Sequence, residues 1–142
     1  MSDETLTVLV YSDDADTRAS VRLALGPRPA PDLPRVEYVD VATDWAVLDR
    51  IKAGGIDLAI LDGEAVPAGG MGVCRTIKEE IFQSPPIMLL LGRPQDQWLA
   101  AWSRAEGAVS HPLDPIATAN TAAALLRDTI AADAGADVVA RN

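Results

Sequence analysis

Five short apolar runs alternate along this chain with amphipathic stretches, and that alternation restricts the fold more than any other feature. The runs fall at residues 5–11, 36–41, 56–61, 87–91 and 108–110. Near-continuous apolar runs of this length suit strands buried on both faces, as in a parallel sheet. The segments 15–25, 45–53, 71–82, 95–106 and 116–132 read as helices. Val73, Ile77 and Ile81 recur every four residues, and Ile116, Ala119, Ala123, Leu126 and Ile130 trace one stripe. Asp44 stands as an N-cap before the second helix, and Gly54-Gly55 follows it where a left-handed residue is wanted. Such alternation makes βαβ units: an α/β parallel sheet, helices on both faces, right-handed crossovers. Between the first helix and the second strand, residues 26–34 carry four prolines and read as an extended, polyproline-II-like loop.

A chain of 142 residues fits one domain with a core that needs no disulfide or structural metal. Net charge of -9 leaves no basic stripe for phosphates, which argues against nucleic-acid binding. The lone Cys74 excludes a disulfide framework and, beside Val73 on an apolar helix face, reads as inert core. Residues 1–4 resemble no signal peptide, and no apolar stretch reaches the ~20 residues that span a bilayer. A cytoplasmic protein is therefore expected, with any attachment at the inner membrane made through a partner. The domain is expected to occupy residues 1–133, followed by a flexible tail at 134–142 and no output domain.

Candidate chemistry gathers where strands end. Asp62 follows the run 56–61 directly, and ligands of open α/β sheets collect at the carboxyl edge of the strands. Asp13 and Asp14 follow the first run and should reach the same edge, with Glu64 close behind Asp62. Clustered carboxylates are tolerable around a divalent cation, so Asp13, Asp14, Asp62 and Glu64 are candidate Mg²⁺ ligands. Asp13 serves equally as a turn residue, Asp14 as the N-cap of the first helix, and Asp62 as a solvated strand-end acid. Gly69-Gly70-Met71-Gly72 looks like a phosphate loop only on the surface, since no such glycines follow the first strand.

Over residues 5–132 these features resemble the receiver domain of bacterial two-component response regulators. The resemblance rests on Val10-Tyr11-Ser12-Asp13-Asp14, Arg18, Ala53-Gly54-Gly55, Ile60-Leu61-Asp62, Gly70 eight residues later, and His111-Pro112. It implies a flavodoxin-like sheet in order 2-1-3-4-5, with Asp62 as phosphoacceptor and Asp13 as Mg²⁺ ligand. It also implies a cognate histidine kinase. The departures are equally specific. Gly92 stands where the family has a Thr or Ser that bonds the phosphoryl group, and His111 stands in place of its lysine. Ala108 replaces the switch aromatic, and Ser12 replaces the first acid of the pair. A phosphoaspartate adds nearly two charges and acceptor oxygens that need donors, and two donors are missing here. His111 either pairs with Asp62 when protonated or stays a neutral hydrogen-bonding residue.

Trp98 and Trp102 lie four apart on one expected helix and share a face, either as ordinary core or as interface anchors. Leu99 is expected to supply that helix's core contact. The chain thus reads as a degenerate, orphan receiver-like protein that acts by docking onto another protein rather than as an enzyme. It resembles actinobacterial receiver-like proteins encoded near respiratory complex I, which makes that NADH dehydrogenase a candidate partner. The rival is a working phosphorelay receiver phosphorylated on Asp62. A flavodoxin-like FMN carrier fits poorly, because acids stand where phosphate donors would be needed.

Overall fold

The computed structural model describes residues 5–66 and 68–141, with side chains described as far as Ala134. Strands β1 (Thr5–Tyr11), β2 (Arg35–Val41), β3 (Leu58–Asp62), β4 (Ile87–Leu91) and β5 (Gly107–Ser110) form one sheet. Helices α1 (Ala15–Leu25), α2 (Asp44–Ala53), α3 (Gly70–Glu80), α4 (Gln97–Ser103) and α5 (Pro115–Arg141) connect and flank them. Every neighbouring pair is parallel, in the order β2-β1-β3-β4-β5. This is the doubly wound, flavodoxin-like sheet expected from the sequence. Its winding reverses between β1 and β3, which opens a crevice at their carboxyl ends.

The two-residue period of a strand divides the core into two halves. Val8 and Val10 of β1 join Ile60, Met88 and Leu90 on the side covered by Val21 and Leu25 of α1 and Ala122 and Leu126 of α5. Leu9 and Tyr11 point the other way, with Leu61, Leu89 and Leu91, onto Val47 and Ile51 of α2, Val73 and Ile77 of α3 and Ala100 of α4. All five residues of β3 and of β4 are buried.

Several local expectations are corrected. Thr43, not Asp44, caps α2: its Oγ1 accepts the Ala46 N–H, and Asp44 falls in the first turn, where its charge suits the helix dipole. The helix expected at 95–106 is a 3₁₀ turn at Pro94–Asp96 followed by seven residues of α4, which ends at Arg104 in a left-handed conformation. Its buried face is Ala100 and Ser103, while Leu99 is only half-buried. The small residues face inward, where the Ser103 carbonyl accepts the Cys74 thiol of α3, and the large ones are left outside. In α5 the ends of the apolar stripe, Ile116 and Ile130, are exposed. The backbone of that helix continues to Arg141, past Ala134 where a tail is expected, through a stretch rich in alanine, the strongest helix former. The 26–34 loop is folded rather than extended. Leu33 is buried, its N–H donates to the Ala30 carbonyl, and Asp32 receives two hydrogen bonds from Arg127 of α5.

Candidate functional site

The parallel register of β1 and β3 pairs Tyr11 with Leu61, so the next residues, Ser12 and Asp62, meet across the crevice. Asp62 is only 4% exposed, and the Ser12 hydroxyl donates to its Oδ2 at 2.8 Å. The Glu64 N–H donates to Oδ1 at 2.9 Å, and the Ala65 N–H closes the turn onto the Asp62 carbonyl. His111, held by its N–H on the Leu91 carbonyl, brings Nε2 to 4.0 Å from Oδ1. Gly70 lies against the same strand end: a Cβ there would stand 2.8 Å from the Asp62 carbonyl oxygen, so the glycine eight residues after Asp62 permits α3 to start this close.

Asp13 is exposed and its Oδ1 accepts the Val66 N–H at 3.1 Å, tying the loop after β1 to the loop after β3. Tyr11 reinforces that tie, its hydroxyl donating to the Ala68 carbonyl at 2.5 Å. Burial raises the Tyr11 phenol above its ordinary value, and the charges of Asp44, Asp13 and Asp62 push it further. Asp14 takes the capping alternative: it accepts from Asp16 N–H and Thr17 Oγ1 at the start of α1, and the Thr17 bond holds its carboxyl below the usual range. Arg18 returns to the site by donating to the Ser12 carbonyl at 2.5 Å.

The structure does not bring the four candidate metal ligands together. Among the described residues no group of three or more His, Cys, Asp or Glu is placed to hold a metal ion. Asp14 is spent on its cap, Ser12 supplies a hydroxyl where a second acid would stand, and Glu64 turns to Gly92. A Cβ at Gly92 would lie 2.6 Å from Glu64 Oε1 and 2.7 Å from Cδ, so the Glu64 carboxyl group fills the space of the missing side chain. These residues are a poor fit to Mg²⁺. Ala108 is half-buried in β5 and packs with the α2, α3 and α4 side of the core. It brings no aromatic ring to the site.

Trp98 and Trp102 are both exposed, at 64% and 47%. Trp102 is partly tied down: the Arg75 guanidinium of α3 sits 4.7 Å from its ring centroid and donates to its carbonyl. Cys74 is buried with its thiol on the Ser103 carbonyl, and burial pushes that thiol up to about 11. The Ser12 bond and the Glu64–Gly92 contact carry no local sequence signal, because their partners lie 50 and 28 positions apart.

Sheet order, the β1/β3 crevice and a buried aspartate at the end of the central strand define a receiver-type α/β domain. No family model matches the chain. An uncharacterized response regulatory protein of Mycobacterium tuberculosis, present in two strains, is 56% identical over 126 residues, covering 89% of this chain and 95% of the relative. Among solved structures, a chemotaxis response regulator of Vibrio cholerae superposes with a TM-score of 0.68 at 18% identity, over 86% of this chain and 99% of that one. The BeF3-activated DrrB receiver domain superposes with a TM-score of 0.66 at 21% identity, over 87% and 99%. The chain belongs to the response regulator receiver family of two-component systems. None of the helices searched among the described residues is long and apolar enough to cross a membrane.

Proposed function

We propose that this receiver is a protein-docking module whose regulation does not run through a phosphoaspartate at Asp62. The observation that carries this reading is the donor-poor acceptor end. Gly92 offers no hydroxyl, its space holds a carboxylate, and His111 stands 4.0 Å from Asp62 where the family has a lysine. A phosphoryl group there would gain charge without the bonds that stabilise it. The activity we assign is binding rather than catalysis, through the surface that carries Trp98 and Trp102. Any Mg²⁺ binding at Asp13 and Asp62 is weak. A cytoplasmic setting, with any membrane association made through a partner, suits a docking role. Respiratory complex I is a candidate partner on family resemblance alone, and a histidine kinase is the candidate that family membership brings.

Capture of partners from native extract, with mass spectrometry, names the partner. The Asp62→Asn variant then tests the mechanism. We expect its affinity for that partner to stay within about threefold of wild type, under 1 kcal/mol. A many-fold loss, with folding unchanged, would restore the rival phosphorelay reading, whose support is the family position of Asp62 at the end of β3.

A further inference from the structure

We propose that Glu64 guards the acceptor end from within the chain, its carboxyl group taking the room that a side chain at position 92 would use. The inference deepens the reading of Asp62 as a silent acceptor and rests on it. Three atoms of the Glu64 carboxyl group lie 2.6, 2.7 and 3.1 Å from where a Cβ of Gly92 would be, so the whole group occupies that volume. Its own N–H is bonded to Asp62 Oδ1, so the exposed residue that fills the space is tied through its backbone to the acceptor. The nearby cation does not neutralise it by contact. The Arg93 guanidinium pairs with Asp96 at 2.9 Å instead. An incoming phosphoryl group meets bulk and like charge together, where the family pattern offers it a hydroxyl. Glycine at 92 and glutamate at 64 therefore act as one device, and neither change alone describes it.

The test is the reactivity of Asp62 with radiolabelled acetyl phosphate in Mg²⁺ buffer, using the full chain. In that reaction an Asp62 carboxylate oxygen attacks phosphorus, the bond from phosphorus to the acetyl oxygen breaks, and acetate leaves with the electron pair. We expect Glu64→Ala to raise labelling at least about fivefold, the lower bound set by removing a unit charge about 4 Å away in water, and more where the site is shielded from solvent. Gly92→Ala should act similarly, because its Cβ expels a flexible carboxylate without adding a donor, and the double variant should gain nothing further. Asp62→Asn should take no label. A crystal structure of Gly92→Ala supplies a second readout and should show the Glu64 carboxylate moved out. Unchanged labelling in folded Glu64→Ala, multiplicative gains in the double variant, or a Glu64 carboxylate still in place in the Gly92→Ala crystal each overturn the proposal. Asp62→Asn binding decides the docking reading separately, so the two can fail independently.

Discussion

Ser12→Ala removes the hydroxyl that holds Asp62, and the structure sets what that should cost. Ser12 is fully buried and Asp62 is 4% exposed, so water does not easily replace the lost donor. A hydrogen bond to a charged group contributes ~1.5–3 kcal/mol, and stranding its buried partner costs a similar amount. Asp62 keeps the Glu64 N–H on its other oxygen, which limits the damage. Ser12 Oγ also accepts the Asp14 N–H at 3.0 Å, but that group sits at an exposed residue where water can reach it. We therefore expect a loss of about 2 kcal/mol, or ~8 °C in Tm at ~4 °C per kcal/mol for a domain of this size. Thermal and urea unfolding followed by circular dichroism measure it. The same substitution in an Asp62→Asn background should cost only ~1 kcal/mol, because the acceptor is then neutral. A loss below ~0.5 kcal/mol, or equal losses in the two backgrounds, would refute the view that Ser12 positions Asp62 through a charge-assisted bond.

The tryptophans separate by what each touches. Trp98→Ala should leave Tm within ~2 °C of wild type, while Trp102→Ala loses its contact with Arg75 and about 1 kcal/mol of stability. If this face docks the partner, one of the two should weaken binding by ~30-fold, about 2 kcal/mol, in a titration against the captured protein. Normal binding by both variants would move the interface elsewhere. Asp57 accepts the Thr7 N–H, and burial raises its pKa above 3.8. The folded state then holds the proton more tightly than the unfolded chain, so stability from this group is present below the unfolded value and is lost as pH rises through the folded one. Asp57→Asn keeps an acceptor and removes the charge, so Tm should rise at pH 7 and the gain should fade below about pH 4. A gain that is the same at pH 3 and pH 7 contradicts this.

The parallel sheet and the strand end that carries Asp62 are legible in the sequence, and the family resemblance adds the strand order and the acceptor role. Apolar runs at 56–61 and 87–91 can be satisfied only where both faces are covered, and β3 and β4 are buried at every position. The Asp62 to Gly70 spacing is local for the same reason: the chain leaves a buried strand and must start a helix against it. Helix ends are less legible. Thr43 and Asp44 are both good caps, and only the backbone path selects Thr43. Side-chain facing in α4 depends on which residues meet α3 and the core, and Ala100 and Ser103 do so, leaving Trp98 and Trp102 outside. The fate of the carboxylates belongs wholly to tertiary structure. Asp13, Asp14, Asp62 and Glu64 are equivalent oxygen donors in a sequence, yet folding assigns one to a loop tie, one to a helix cap, one to a buried hydroxyl and one to the space above a glycine. Periodicity records which residues leave water, and that is a property of each segment. Which donor meets which acceptor depends on strands 50 residues apart lying side by side, and only the closed sheet brings them there.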